Sequence, residues 1–495
     1  MRNPTESATS LVNAARRLYP VTDDVHAQLD ALEARLTEPL RVALVGSVKA
    51  GKSTLLNGLI GERIAPTDAR ECTRVVTRYE HGRVPRVTAH LPHGEIVSIP
   101  ARRQSDRLEL DVAGLRPEDV RQIDVTWPAE GIAGITLIDT PGTASVTQEV
   151  SRCTDQFLLP EEGAAGADAV VYLLRSLHET DVRYLRLLKE RTRHGNAAIG
   201  AIAVLSRADE LGSARLDAQV AINETANRLR NSPELEGICE TVVPVAGLLG
   251  LGAITMKQAD YTTFVRLAAL PAAKTDAVLL TAERFITARS TELPAERERN
   301  DLIERFGLYG IRLALAAVRG GIEDAGALSA ELLRRSGLDE LRRVIDVHFT
   351  GRQAELKAQS VVFALHQLLR HHPAEGTEEL LASADQHMAT SHTYAEMQLI
   401  GRISSGRLDL PGPLTEELER LVGGSGASAA CRLNRDADAT GPELKLAAVD
   451  HLLRWRELRE NPLLDRSTSM ACAIAEQSCV RLIAGLEENA EGAFA

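Results

Sequence analysis

Aromatic residues make up only 3% of this 495-residue chain. So few rings leave little to stack on unpaired bases, which argues against a single-strand nucleic-acid binder. Excess positive charge is also missing: 57 Lys and Arg stand against 69 Asp and Glu, a net charge of −12. An acidic surface does not attract a phosphate backbone, so nucleic acid is not an expected partner. No run of about 18 uncharged apolar residues occurs, and no bilayer-crossing helix is expected. The first stretch, MRNPTESATSLVNAARRLYP, lacks an apolar signal core. The six cysteines (Cys72, Cys153, Cys239, Cys431, Cys472 and Cys479) form no CxxC pair. These absences predict free thiols and a cytoplasmic protein. The histidines lack metal-ligand spacing, so no metal site made wholly of protein ligands is expected. What is present is the composition of a folded globular chain, 44% hydrophobic and 25% charged. Its length suggests roughly three domains.

The hydrophobic pattern divides the chain. Residues 1–38 read as two short helices, 10–18 and 25–36, with Val25, Leu29, Leu32 and Leu36 on one face of the second. Residues 39–260 alternate strands with helices, the pattern of a mostly parallel α/β sheet. Strands are predicted at 41–45, 75–79, 86–91, 123–127, 135–138, 169–174, 199–205 and 241–245, and helices at 53–59, 181–191 and 214–230. Residues 261–495 offer helical patterns at 274–289, 301–318, 325–335, 338–369, 378–400, 413–421, 443–458 and 470–486. They predict an extended all-α neck and trunk whose last helices return to pack beside the N-terminal ones.

The chemistry sits in the α/β part. Residues 41–60, RVALVGSVKAGKSTLLNGLI, run from an apolar strand through a glycine-bounded loop into a helix, and the loop carries GxxxxGK[ST]. Backbone N–H groups of Gly46, Ser47, Ala50, Gly51, Lys52, Ser53 and Thr54 are predicted to cradle phosphates. Lys52 would reach the β/γ-phosphates and the Ser53 hydroxyl would ligate Mg²⁺. A second strand ends in Asp139-Thr140-Pro141-Gly142. Asp139 would hold a Mg²⁺-bound water, and the Gly142 N–H would sense the γ-phosphate. A third ends in Ser206-Arg207-Ala208-Asp209. The Asp209 carboxylate can accept from two guanine N–H groups that adenine does not offer, while Arg207 covers the base face. The competing reading makes Asp209 a plain helix cap and the chain an ATP-using P-loop enzyme. Thr73 and Thr77 are both candidates for a switch threonine over Mg²⁺ and the γ-phosphate, and Thr73 is preferred because Thr77 falls inside a predicted strand. The Ala246 N–H, after the strand at 241–245, is a candidate contact to the guanine carbonyl.

With these elements in place, GSVKAGKSTLLNGLIG, IAPTDARECTRVVTRY, LIDTPGT and LSRADE together resemble the dynamin superfamily. Within it the chain is most similar to the bacterial dynamin-like proteins of the isoniazid-inducible class. The likeness continues through LIERFGLYGIRL and RRSGLDELRRVIDVHF. It implies a GTPase head using GTP and Mg²⁺, with room for a monovalent cation. It also implies a helical neck drawn partly from both termini, and a trunk whose tip touches phospholipid at the inner face of the cell membrane. Self-association through the heads, or with a paralogue, follows from the same resemblance, which also supports Thr73.

Two departures stand out. Eukaryotic dynamins carry a P-loop glutamine that helps position the catalytic water; the matching residue is Val48, followed by Lys49. After the DxxG run, Thr143 stands where Ras-like proteins place a glutamine. Lys49 is therefore a candidate for neutralising developing phosphate charge, beside the plainer reading of a solvent-facing lysine. For lipid contact the candidates are the apolar run 306–318, the flexible stretches 410–414 and 423–430, and the basic pairs Arg334-Arg335 and Arg342-Arg343. The leading expectation is a membrane-remodelling, membrane-tethering or membrane-cutting GTPase. The alternative is a GTP-dependent switch or scaffold that binds a protein through its helical half.

Overall fold

A computed structural model describes residues 4–20, 24–65, 75–92, 94–104, 107–110, 119–141, 157–158, 166–193, 200–214, 218–235, 238–389, 392–404, 406, 408 and 410–492. Its strands are β1 (Leu40–Gly46), β2 (Val76–His81), β3 (Arg86–His90), β4 (Ile96–Ser98), β5 (Ala101–Gln104), β6 (Arg107–Leu110), β7 (Gln122–Trp127), β8 (Ile135–Asp139), β9 (Ala169–Leu174), β10 (Gly200–Ser206) and β11 (Val242–Val245). A nine-stranded sheet runs β11-β10-β9-β1-β8-β2-β7-β3-β4, and β5 and β6 form a separate hairpin. From β11 to β8 every pairing is parallel. Beyond β8 the sheet turns mixed: β2 is antiparallel to β8, β7 is parallel to β2, and β3 is antiparallel to both β7 and β4.

Sequence pattern explains the change. Every residue of β9 and β10 is buried, as continuous apolar runs demand when both sheet faces are covered. In β7, Ile123 and Val125 are buried while Gln122, Asp124 and Thr126 are partly exposed, the alternation of a strand with one wet face. The short strands β4, β5 and β6 were not anticipated: β4 is only three residues long, and β5 and β6 carry charged and polar residues in place of an apolar run.

The helical half departs from the expected spans at identifiable points. The run 338–369 divides into Leu338–His348 and Gln353–His371 around a 3₁₀ turn at Thr350–Arg352. The run 274–289 divides into Ala272–Val278 and Ala282–Thr287, the second capped by the Thr281 hydroxyl. Helix Glu296–Arg319 kinks at Gly307. Two helices, Gly247–Ile254 and Gln258–Ala268, fall where none was predicted. The first is rich in glycine, which reads as a loop.

Core packing redraws the expected division at residue 260. Leu338, Leu341, Val344 and Ile345 of helix Leu338–His348 share one apolar cluster with Leu40, Val42 and Leu44 of β1 and Leu137 of β8. A distant helix therefore belongs to the head's own core. Helices Pro4–Arg16 and Asp24–Thr37 pack with Gln353–His371 and Thr377–Ala389. The last two helices, Gly441–Arg459 and Arg466–Gly492, are absent from that cluster. Among the described residues, they pack with His392–Ser404 and Gly412–Leu421 around Trp455, in a cluster separate from that of the N-terminal helices.

Most lipid-contact candidates are occupied elsewhere. Within 306–318, Phe306, Tyr309, Ile311, Leu313 and Leu315 are core residues. Arg334 and Arg335 pair with Glu331, and Arg343 pairs with Glu340. Arg342 donates to the Gly58 carbonyl at 2.9 Å. Leu410 and Leu414 pack against the C-terminal cluster. Gly423 is buried against Arg352. Among the described residues, no helix is long and apolar enough to cross a membrane.

Candidate nucleotide site

The carboxyl ends of β1, β8 and β10 place the three motif loops side by side, as parallel α/β sheets place ligands. β1 ends at Gly46, at φ 153°, where an added Cβ would come within 2.5 Å of the Leu173 carbonyl oxygen. The loop turns back through Lys49 and Gly51, both at positive φ, and delivers Lys52 to the first position of helix Lys52–Ile60. Gly51 carries no side-chain cap, so the first N–H groups of that helix remain available to an anion.

Lys52 is buried, and its Nζ donates to the carbonyls of Gly46 (3.0 Å) and Ser47 (3.3 Å). Burial lowers its pKa, and Asp139 pulls it back up. The Ser53 hydroxyl donates to Asp139 Oδ2 at 3.2 Å. Asp139 is set by the pairing Leu44↔Asp139 between β1 and β8, and Thr140 donates to the Leu44 carbonyl at 2.8 Å. Burial pushes the Asp139 carboxyl up to about 6, against the pull of Lys52 and the Ser53 hydrogen bond. Its Oδ1 is buried without a hydrogen-bond partner among the described residues. A free carboxylate oxygen beside a serine hydroxyl is a donor set that suits a hard cation such as Mg²⁺.

On the other side, Ser206 ends β10 and donates to the Leu174 carbonyl at 3.1 Å. Arg207 adopts φ 52°, uncommon for a non-glycine residue. Its guanidinium pairs with Glu210 at 2.6 Å, and Glu210 also pairs with Arg175. Burial raises the Asp209 pKa, the Glu210 charge adds to that, and Arg207 opposes it. One cavity of ≈ 160 Å³ is lined jointly by Ala50, Gly51 and Thr54 of the phosphate loop and by Ser206, Arg207 and Asp209. The phosphate-side and base-side motifs thus face one space.

A model of the dynamin family matches residues 42–205. Isoniazid-induced protein IniC of Mycobacterium tuberculosis is 40% identical over 469 residues, 94% of this chain and 94% of that protein. The chain belongs to the dynamin family. A chloroplastic FZO-like transmembrane GTPase of Arabidopsis thaliana is 25% identical over 182 residues, 36% of this chain and 17% of that one. A solved structure of an oligomerised bacterial dynamin pair aligns over 98% of this chain and 75% of its own, with 13% identity and a TM-score of 0.30. This dynamin-family protein is a bacterial dynamin-like enzyme that binds and hydrolyses GTP.

The remaining expectations for this dynamin-like head divide. Thr73, Gly142 and Thr143 lie outside the described residues. Thr77 is buried inside β2, with its hydroxyl directed to the Val75 carbonyl. The Ala246 N–H is not free for a base: it donates to the Ser336 carbonyl at 2.8 Å. The cavity wall there is made by Val245, Gly247 and Leu248, and Gly247 opens helix Gly247–Ile254. Sequence reasoning also missed Asn57. Its fully buried side chain accepts from the N–H of Ile64 and Ala65 and donates to the Ala65 carbonyl, all within 2.7–2.8 Å. Asparagine is a poor residue for a helix interior, and its place in LLNGLI was the available signal.

Proposed function

We propose that this chain is a mechanochemical dynamin-like GTPase that works on a phospholipid surface and self-associates through its heads or with a paralogue. The observation that carries the nucleotide part is the single cavity shared by the phosphate loop and Asp209. In this reading Lys52 exchanges its two loop carbonyls for the β/γ-phosphate oxygens. Ser53 and Asp139 would hold Mg²⁺, with Thr73 as a further candidate ligand, and the ion would neutralise charge on the β/γ-phosphates. The Gly142 N–H meets the γ-phosphate. Asp209 accepts from the guanine edge, and Arg207 lies along the base. The Gly247 N–H, in the first turn of its helix, replaces Ala246 as the contact to the guanine carbonyl. Catalysis is positioning and charge stabilisation of in-line attack by water.

Lys49 is solvent-exposed at the loop crest, and Val48 beside it is 45% exposed. Neither side chain is committed to the fold, which supports assigning Lys49 to the developing phosphate charge. Head–head contact would order it there.

Two measurements test the whole. Competition for GTP hydrolysis by unlabelled GDP but not ADP is expected from the Asp209 assignment; equal competition would return the chain to the ATP-using reading. Co-sedimentation with anionic liposomes, strengthened by GTP, is expected from the membrane assignment. A protein that hydrolyses GTP but never sediments with lipid would favour the switch or scaffold reading.

A further inference from the structure

Two walls of the nucleotide cavity come from different elements, and one distant run of chain touches both. The phosphate wall is helix Lys52–Ile60; the base wall is the turn at 245–247 and helix Gly247–Ile254. The run is 336–342, which joins helix Ala325–Ser336 to helix Leu338–His348. On the base side, the Ser336 carbonyl accepts the Ala246 N–H at 2.8 Å. Gly337 follows at φ 75°, and a Cβ there would come within 2.1 Å of the Pro244 carbonyl oxygen. Leu338 then enters a notch between the walls. Cβ atoms built on Gly58 and Gly250 would lie 3.2 and 3.0 Å from its side chain, and Leu338 is fully buried. One turn on, Arg342 donates to the Gly58 carbonyl of the phosphate-wall helix at 2.9 Å.

We propose that Leu338, with Ser336, Gly337 and Arg342, is a positioning element of the GTP site, built into it from the helical half. In any one bound conformation a nucleotide spans a set distance from its β-phosphate to its base edge. The walls must hold Lys52 and Gly247 at the matching separation, and a packed apolar wedge fixes that separation because close-packed interiors do not deform smoothly. Ser336 and Gly337 make their contacts through backbone, and Leu338 and Arg342 reach the backbone-level surface that Gly58 and Gly250 leave open, so little slack remains to absorb a shift. Coupling of this kind is reciprocal: what seats Leu338 favours nucleotide, and nucleotide seats Leu338. The proposal rests on the nucleotide reading given above.

The test uses the full chain with fluorescent GDP as probe, and compares Leu338→Ala, Leu338→Met, Arg342→Ala and Leu29→Ala. Leu29 lies in the N-terminal cluster, away from the site, and controls for loss of core packing alone. We expect Leu338→Ala to weaken GDP binding about five- to tenfold, Leu338→Met to restore it, and Leu29→Ala to leave it unchanged at a similar loss in melting temperature. In the wild type, saturating GDP should slow amide exchange in peptides spanning 333–345, and Leu338→Ala should lose that protection. If Leu338→Ala does not fold, Arg342→Ala decides. Its side chain is 32% exposed and outside the apolar core, so its melting temperature should hold while GDP affinity and the exchange protection both fall. Unchanged affinity and protection in the folded variants would overturn the positioning role and leave the nucleotide reading standing. A wild-type chain that binds no GDP would overturn both.

Discussion

Asp139 carries a carboxyl held near 6 by burial, opposed by Lys52 and Ser53. The ordinary aspartate value is 3.8. The folded, ligand-free chain therefore keeps a proton that the unfolded chain has lost, and stability falls as pH rises from about 4 through 6. Asp139→Asn removes that loss. Its ligand-free melting temperature should exceed wild type by a few degrees at pH 7 and match it at pH 4, as calorimetry will show. Mg²⁺-dependent hydrolysis should meanwhile drop by roughly a hundredfold or more. Lys52→Ala should abolish turnover in a phosphate-release assay. Lys49→Ala should lower kcat while leaving GDP affinity in place, because its side chain meets charge that develops only during the reaction. Placement at this scale was legible where its setting is local. Lys52, Ser53, Asp139 and Asp209 are set by short motifs at strand ends. Ala246 misled because the acceptor for its N–H is Ser336, far along the chain, and no local pattern announces it.

Among the elements, the buried parallel strands were the most readable, since β9 and β10 are apolar at almost every position. Helix Gly247–Ile254 was hidden by its glycines, which serve close packing: Gly250 admits Leu338, and Gly252 lies against the Arg305 carbonyl. The kink in helix Glu296–Arg319 was hidden too, since 301–318 reads as one amphipathic run. Gly307 sits there at φ 64° and ψ 174°, a region open in practice only to glycine. The chain before the kink is anchored by Arg305, whose guanidinium meets Asp260 at 2.6 Å. Gly307→Ala should cost ~1–3 kcal/mol, visible in a urea melt. Among the described residues a Cβ there meets only Leu248 at 3.5 Å, so the loss would be conformational, with no clash to relieve.

Over the whole molecule, a chain of buried polar and charged side-chain contacts ties the head to the helical half. Glu240, just before β11, meets His348 at 2.5 Å. Arg352, one turn further along the chain, lies 3.8 Å from Glu396. Glu396 also accepts from Ser478 at 2.6 Å and pairs with His392 and Arg432. Burial pushes the Glu396 carboxyl up, but Arg432, His392 and Arg352 outweigh it and hold it at about 2. A lowered folded value means stability that is present above the unfolded glutamate pKa of about 4.3 and lost as pH falls toward 2. Glu396→Gln should flatten that acid slope in denaturant melts. At neutral pH it should destabilise by about 3–5 kcal/mol, because two arginines lose their counter-charge. The packing of the first helices bears on synthesis. Lys357 donates to the carbonyls of Leu36 and Glu38, and helices Pro4–Arg16 and Asp24–Thr37 find their apolar partner in Gln353–His371. Leu36 and Lys357 are 321 residues apart. At about 5–20 residues per second, the ribosome takes roughly a quarter of a minute to a minute to supply that partner. For that interval the nascent chain carries an uncovered apolar face, and a ribosome-associated chaperone would find it there.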